Sequence, residues 1–385
     1  MLPRLATLRR DVSTLVRGLL GHTPPPLVSR SHRRAADAAP PSTATAIAAG
    51  AATLARTVVV ESVRRETADA VSLTLVDPTG APLAFRPGQF FTIEVTIDGQ
   101  RLRRAYSASS DAREPGRVTI TVKRVAGGRV STFLTERAAV GDRLGLLGPS
   151  GDFTLDAAAP PAHVVAIAGG SGITPIVAIA RSLADLPATR LTLVYGNRDR
   201  ASVIFADELA TLAAGGRLTV DHVLDDAGGP LTEPTIAARL DALAVTDDDA
   251  TVYMLCGPDP MMAAARAALT ARGVPSARVR EERFFAPARP TAATAAQPLT
   301  IRRGGAVTQA IVRPGDTLLD AGLAAGVPLK LSCAMGGCGA CAVTLVAGSV
   351  AMDEPNCLTV GERAAGTVLA CVARPTAPCT IEAPT

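Results

Sequence analysis

Tryptophan is absent from this 385-residue chain, and aromatic residues make up only 3% of it. No uninterrupted apolar run approaches the roughly 20 residues that a membrane-spanning helix needs. The net charge of +4 is too small to indicate nucleic-acid binding. The four histidines lie outside every motif described below, so no general acid–base set stands out. With 48% hydrophobic residues over this length, we expect two or three globular domains.

Residues 1–22 carry apolar side chains at helical spacing, interrupted throughout by arginine, which argues against a secretory signal. We expect a cationic amphipathic helix here and a flexible linker up to residue 55. Such a helix contacts an anionic membrane surface, docks on its own protein or frays, and the sequence leaves all three open. We therefore expect a cytoplasmic protein, with peripheral contact at the inner face of the membrane as a hypothesis. In that reducing compartment cysteines favour metal binding or catalysis over disulfides.

The pattern of apolar and polar residues along the chain changes three times after residue 55. Short alternating runs separated by turn residues over 56–157 predict an antiparallel sheet closed into a small barrel. Alternating strands and helices over 158–286 predict a parallel sheet covered on both faces. Residues 287–298 have the composition of a tether. Residues 299–385 begin with alternating strands and hold a cluster of cysteines, so the fold class is multi-domain.

The cluster contains Cys333, Cys338 and Cys341 in a C-x4-C-x2-C spacing, and Cys371 follows later. This spacing is typical of a plant-type [2Fe–2S] site, in which four thiolates hold two irons. Zinc is the first alternative, but zinc prefers short cysteine pairs. Unrelated free cysteines are the second. The sequence therefore predicts that these four cysteines are the iron ligands.

The cluster loop is rich in glycine. Gly336, Gly337 and Gly339 permit the positive φ angles and the close approach that a loop folded around two irons requires. The stretch DTLLDAGLAAG, the loop and LACVARP together resemble plant-type ferredoxins, in which a helix precedes the cluster loop. The resemblance implies an α+β domain of the β-grasp fold that carries one electron. Cys357 and Cys379 are expected to be small buried residues.

An Arg-x-Tyr-Ser motif spans Arg104 to Ser107 in the predicted barrel. Alone, it is equally explained by an exposed strand end with a hairpin aromatic. FRPGQFFTIEV precedes it, and GRVS from Gly128 to Ser131 lies at a predicted helix start, where free N–H groups suit a pyrophosphate. FAD has a pyrophosphate and FMN only a phosphate, so the set favours FAD over FMN. In this order the motifs resemble the flavin domain of the ferredoxin–NADP reductase superfamily.

That resemblance implies a role for each motif residue. The tyrosine packs on the isoalloxazine, the serine bonds near its reactive nitrogen, and the arginine pairs with phosphate. The expected flavin-site residues are Arg104, Ala105, Tyr106, Ser107, Val122, Lys123, Arg124, Gly128, Val130, Ser131 and Thr132.

The segment GGSGITP follows a predicted strand and precedes a predicted helix. A glycine turn in this position typically holds the phosphate of a dinucleotide. The segment is not the strict G-x-G-x-x-G motif. The resemblance implies that it takes the nicotinamide nucleotide, with Thr174 facing the flavin. A CGP element would flank the nicotinamide, unless its cysteine is only structural, and a terminal E-x-F would lie near the flavin. The expected residues are Gly169, Gly170, Gly172, Thr174, Pro175, Cys256, Gly257, Pro258, Glu282 and Phe284, with Phe285 beside the last.

Asn197 and Arg198 come just past another predicted strand, where an adenosine ribose would lie. Arginines there, Arg200 included, favour NADPH over NADH, although Asp199 opposes that preference. A surface loop of mixed charge is the alternative.

The resemblance spans about residues 56–385. It is closest to the branch that joins flavin, nicotinamide and ferredoxin domains in one chain, as in the phenylacetyl-CoA epoxidase reductase component and ketosteroid hydroxylase reductases. This implies that electrons pass from NADPH (or NADH) through FAD and a [2Fe–2S] cluster to a separate oxygenase, hydroxylase or desaturase. A redox-sensing iron–sulfur flavoprotein is the first alternative. An oxidoreductase acting on its own small substrate is the second.

Overall fold

The computed structural model describes residues 56–156, 158–284, 295–354 and 356–385. The predicted N-terminal helix and linker, and Phe285, lie outside the described residues. Within the described part of the chain, no helix is both long enough and apolar enough to span a membrane. The barrel and the parallel sheet belong to one compact unit, and the C-terminal domain belongs to another. The domain boundaries given above stay predictions.

The first domain is an antiparallel sheet of six strands with one helix, α1. Its elements are β1 (Arg56–Thr67), β2 (Ala70–Val76), β3 (Phe90–Ile97), β4 (Gln100–Ser107), β5 (Val118–Lys123), α1 (Arg129–Glu136) and β6 (Arg143–Ser150). The strand order is β4-β3-β6-β1-β2-β5. Alternate residues such as Val58, Val60 and Leu73 are fully buried, because successive side chains of a strand point to opposite faces. Val130 and Leu134 of α1 complete this core.

The second domain is a parallel sheet of five strands with helices on both faces. Its strands are β7 (His163–Gly169), β8 (Arg190–Asn197), β9 (Leu218–Leu224), β10 (Thr251–Cys256) and β11 (Val279–Glu282). Its helices are α2 (Ile173–Ser182), α3 (Ala206–Ala214), α4 (Asp225–Gly228), α5 (Glu233–Ala242) and α6 (Asp259–Ala271). The order β11-β10-β7-β8-β9 places β7 centrally, and its apolar run is buried throughout. The carboxyl ends of β7, β8 and β10 therefore meet at one edge of the sheet.

The C-terminal domain combines a mixed sheet with short helices. Its elements are β12 (Gln297–Arg303), β13 (Ala306–Val312), α7 (Leu318–Ala324), β14 (Ala342–Ala347), β15 (Val350–Met352), α8 (Val360–Ala364), β16 (Thr367–Leu369), β17 (Ala373–Pro375) and β18 (Cys379–Glu382). The main sheet has the order β13-β12-β18-β14-β16. Thr317 and Asp320 cap each other at the start of α7, where the sequence predicts a helix. The predicted fold class, with its three kinds of domain, is confirmed.

Candidate functional site

A cavity of about 1200 Å³ opens at the carboxyl edge of the parallel sheet and is lined from both the barrel and the sheet domain. Ligands of open α/β sheets bind outside the carboxyl ends of the strands. The predicted site residues that line this cavity are Lys123, Arg124, Thr132, Gly169, Gly170, Asn197, Arg198 and Pro258. The fold thus brings together flavin-motif and nucleotide-motif residues that are distant in sequence.

Two glycine-containing loops meet backbone to backbone at this edge. Gly170 has a φ of 52° and Gly257 a φ of 158°, angles that favour glycine. A Cβ on Gly172 would lie 2.0 Å from the carbonyl oxygen of Cys256, and one on Gly257 would lie 2.9 Å from the amide nitrogen of Gly169. Neither loop has space for a larger residue where they touch. The result is a narrow cradle of backbone groups that a nucleotide can approach closely.

Helix α2 begins directly after this turn and carries Thr174 and Pro175, which are both buried. The Thr174 hydroxyl donates to the carbonyl of Ser171 at 3.0 Å and so closes the first turn of the helix. This hydrogen bond between neighbouring residues stabilises the start of helix α2. Whether Thr174 also faces a flavin stays a prediction.

The Arg-x-Tyr-Ser motif forms the end of β4. Tyr106 is half-buried against the barrel core, and burial raises the pKa of its phenol, so the ring is neutral. Ser107 is 1% exposed, and its hydroxyl has no hydrogen-bond partner in the structure. Arg104 donates to the carbonyl of its neighbour Arg103 at 2.7 Å, and Ala105, which lies between Arg104 and Tyr106, is partly exposed. A buried hydroxyl left without a partner is costly, so Ser107 fits a polar atom of a bound flavin.

The turn before α1 is organised by Ser131. Its hydroxyl accepts from the amide of Val125 at 3.1 Å and donates to the carbonyl of Gly128 at 3.3 Å. A Cβ on Gly128 would lie 2.6 Å from that hydroxyl. No side chain caps the helix start at Gly128, which leaves its N–H groups for a phosphate.

Two predicted flavin-site residues have side chains that pack in the barrel core, and their place in the flavin site stays a prediction. Val122 is 0% exposed and Val130 is 2% exposed. Their side chains hold β5 and α1 in place and do not offer a contact surface to a ligand.

A carboxylate that the sequence analysis missed lies between two of the cations that line the cavity. Asp69 Oδ2 is 3.1 Å from Arg198 Nη2 and 4.0 Å from Lys123 Nζ. Burial lowers the pKa of Lys123, and the charge of Asp69 opposes that shift. Asp69 belongs to no motif, since its importance depends on the turn between β1 and β2 folding over the end of β8.

Asp199, which weighed against NADPH in the sequence, has a local role. Its carboxylate accepts from the amide of Ser202 at 2.8 Å and caps a short 3-10 helix. Asn197 is 5% exposed and lines the cavity, and its side-chain amide has no hydrogen-bond partner among the described residues.

Cys256, Glu282 and Phe284 lie at the ends of β10 and β11. Burial, followed by the charge of Glu282, raises the pKa of the Cys256 thiol, so this cysteine is neutral. The carboxylate of Glu282 lies 3.8 Å from where a Cβ on Gly151 would be, which places it beside the barrel. Phe284 is 44% exposed.

In the C-terminal domain the four predicted ligands form two pairs. Sγ atoms of Cys341 and Cys371 lie 3.1 Å apart, and Cys333 is hydrogen-bonded to Cys338. That hydrogen bond lowers the pKa of Cys338 to about 6, despite burial. Three of the four thiols are buried and Cys338 is partly exposed. In the described residues no three candidate ligands converge on a single ion. Two thiol pairs fit a cluster of two irons better than one zinc.

The backbone of the cluster loop has positive φ angles at two of its three glycines and at one alanine. Gly336 and Gly339 have φ angles of 76° and 77°, as expected. Gly337 is not among the positive-φ residues of this described loop, and Ala334 takes that conformation instead with a φ of 54°. The sequence shows which residues tolerate a positive φ angle but not where the chain reverses. Cys357 and Cys379 are buried, as expected.

Three domain families match this chain. Residues 57–155 match the oxidoreductase FAD-binding domain, residues 166–267 the oxidoreductase NAD-binding domain, and residues 304–376 the 2Fe-2S iron-sulfur cluster binding domain.

Two relatives and one solved structure each match this chain over most of their own length. The 3-ketosteroid-9-alpha-monooxygenase ferredoxin reductase component of Mycolicibacterium smegmatis is 37% identical, over 82% of this chain and 93% of the relative. A subunit of the 1,2-phenylacetyl-CoA epoxidase from Escherichia coli is 33% identical, over 82% of this chain and 94% of the relative. Phthalate dioxygenase reductase superimposes with a TM-score of 0.61 at 27% identity, covering 86% of this chain and 97% of that one.

Proposed function

Because the chain belongs to the family of ferredoxin reductase components that join FAD, NAD and 2Fe-2S domains, we propose that it delivers electrons from NADPH to a separate metal oxygenase, hydroxylase or desaturase. The coarser activity, that of an NAD(P)H-dependent oxidoreductase with FAD and a [2Fe–2S] cluster, follows from the family itself. When bound, FAD supplies hydride acceptance and the cluster supplies one-electron transfer.

The chain's own residues serve that chemistry by binding and orientation. The two loops that touch at Gly172 and Cys256 line the cavity with Gly169, Gly170 and Pro258, which would hold the nucleotide there. The unpartnered hydroxyl of Ser107 is available to a flavin atom. The paired thiols of the C-terminal domain hold two irons. The observation that carries the proposal is that these sites occur in one chain, since a nucleotide delivers two electrons and a [2Fe–2S] cluster passes on one at a time.

An oxygenase as acceptor is supported by the relatives. They are named as reductase components or subunits of a monooxygenase and an epoxidase. This chain therefore has the set of domains of a reductase that passes electrons to a separate enzyme. We propose no particular substrate for that enzyme.

The preference for NADPH rests on Arg198 at the cavity wall. Arginine binds phosphate with a planar fork of donors. The capping role of Asp199 supports the same preference, because a carboxylate held at the start of the 3-10 helix competes less for a ribose hydroxyl.

The first test is the absorption spectrum of the anaerobic protein before and after NADPH and NADH. We expect flavin and iron–sulfur bands, and bleaching of both, faster with NADPH. If the flavin bleaches while the cluster bands persist, the cluster is not downstream of the flavin and the proposed relay fails. Faster bleaching with NADH would overturn only the preference.

We further propose that residues 1–22 make peripheral contact with a membrane, from their cationic amphipathic sequence. Deletion of these residues should abolish cosedimentation with anionic liposomes and leave NADPH-dependent ferricyanide reduction unchanged. Unchanged cosedimentation would refute the contact.

A further inference from the structure

The turn between β1 and β2 places a fixed carboxylate at the nucleotide cavity. The hydroxyl of Thr67 donates to Asp69 Oδ1 at 2.9 Å. The amide of Arg124 donates to the carbonyl oxygen of Asp69 at 2.7 Å. These two bonds hold the turn and leave Oδ2 directed at Arg198, 3.1 Å away. Asp69 is 20% exposed in its side chain, so this is a partly buried, anchored anion.

The partner of Asp69, Arg198, has an exposed side chain that is not anchored in this way. Its backbone carbonyl accepts from the amide of Asp226 at 3.1 Å, but its side chain is 66% exposed. The guanidinium can therefore leave Asp69 by side-chain rotation alone, while the carboxylate stays where it is. A phosphate that binds Arg198 has to replace the carboxylate as its partner.

We propose that Asp69 is a specificity-determining residue that competes with the 2′-phosphate of NADPH for Arg198. A phosphate monoester carries close to two negative charges near neutral pH, and it outcompetes one carboxylate for a guanidinium. NADH has no such group, so it leaves the Asp69–Arg198 pair intact. Asp69 thus weakens NADPH binding without affecting NADH, and it sets how strongly the enzyme prefers one nucleotide. This inference rests on the proposed placement of the ribose beside Arg198.

Asp69→Asn is the informative variant, because asparagine keeps an oxygen to accept from Thr67 and removes only the charge. We expect the KM for NADPH to fall roughly twofold to fivefold, the range of a partly exposed ion pair, with kcat unchanged. The KM for NADH should change less than twofold. Ferricyanide serves as the acceptor, so the result does not depend on any oxygenase. If Asp69→Asn folds poorly, Asp69→Ser gives the same readout.

A double-mutant cycle separates competition from a general charge effect. In an Arg198→Gln background, Asp69→Asn should change neither KM, because the contested cation is gone. Glu61→Gln is the matched control, since Glu61 lies on β1, the strand that leads into this turn, in an exposed pair with Arg117 at 3.4 Å. It should behave like the wild type with both nucleotides.

Direct binding gives a second readout that needs no turnover. In calorimetric titrations, Asp69→Asn should tighten binding of adenosine 2′,5′-bisphosphate and leave that of AMP unchanged. If both nucleotides bind more tightly by the same factor, Asp69 opposes a phosphate other than the 2′-phosphate. If neither affinity changes, the Asp69–Arg198 pair only joins the two domains. Either result overturns the proposal. A wild-type preference for NADH, by contrast, would count against the proposed function and leave this variant comparison intact.

Discussion

The contact between Gly172 and Cys256 makes the sharpest prediction about hydride transfer. A Cβ at position 172 would lie 2.0 Å from the Cys256 carbonyl oxygen, where Cβ atoms essentially never come closer than 3.0 Å. Gly172→Ala therefore forces the two loops apart by about 1 Å. Both loops are backbone at their point of contact, so no side-chain rotation relieves the clash.

A displacement of this size in a site that positions two reactants can cost about 100-fold in rate. We expect Gly172→Ala to reduce the rate of flavin bleaching by NADPH by about this factor. Overpacking of a closed site should also lower stability by roughly 1–3 kcal/mol. The barrel and the C-terminal domain do not contain this contact, so flavin and iron content should be unchanged.

The assay is anaerobic stopped-flow mixing of the protein with NADPH, followed at the flavin band. Gly228→Ala is the matched control: it makes the same substitution in the same domain, where a Cβ would meet nothing within 4 Å. It should reduce the flavin at the wild-type rate. If Gly172→Ala also does so with normal stability, the loops are not in backbone contact in solution and the reasoning fails.

Three further predictions concern separate parts of the chain. Ser107→Ala should retain FAD but slow its reduction roughly tenfold, the worth of one hydrogen bond to a polar flavin atom, as measured by the same stopped-flow assay; an unchanged rate would refute that contact. Cys338→Ser should remove the iron–sulfur bands and abolish cytochrome c reduction while ferricyanide reduction persists, whereas Cys357→Ser should keep the cluster. Burial, then the charge of Arg190, lowers the pKa of His163 from 6.5 to about 4. As the pH falls, the unfolded chain therefore takes up the proton first, and the stability present above pH 6.5 should be lost as the pH falls toward 4. His163→Gln should flatten this pH dependence of the melting temperature, and a profile identical to that of the wild type would exclude His163 as its source.

Much of the site can be predicted from sequence because its chemistry depends on local spacing. The C-x4-C-x2-C loop and the turn before α2 each place their functional groups within a few residues of one another. Their conformations follow from glycine content and from the strand or helix beside them. The strand–helix alternation likewise predicts a parallel sheet, whose carboxyl edge is where nucleotides bind.

Contacts between distant segments could not be anticipated from the sequence. Val122 and Val130 follow or flank flavin-motif residues, yet their alternation along β5 and α1 turns them into the barrel core. Ala334 has a positive φ angle, which the glycine pattern of the loop did not indicate. In each case the local pattern identified the right loop or strand, and only packing decided which side chain faced outward.

The sequence by itself determined the three kinds of domain and the cofactors, and it indicated four candidate ligand cysteines, three of them at short spacing. Only the tertiary structure decided that those cysteines form two pairs, that Gly172 touches Cys256, and that Asp69 reaches Arg198. These last contacts join residues 84 and 129 positions apart. No local pattern records such distances, because they are set by how strands and loops pack after the chain has folded.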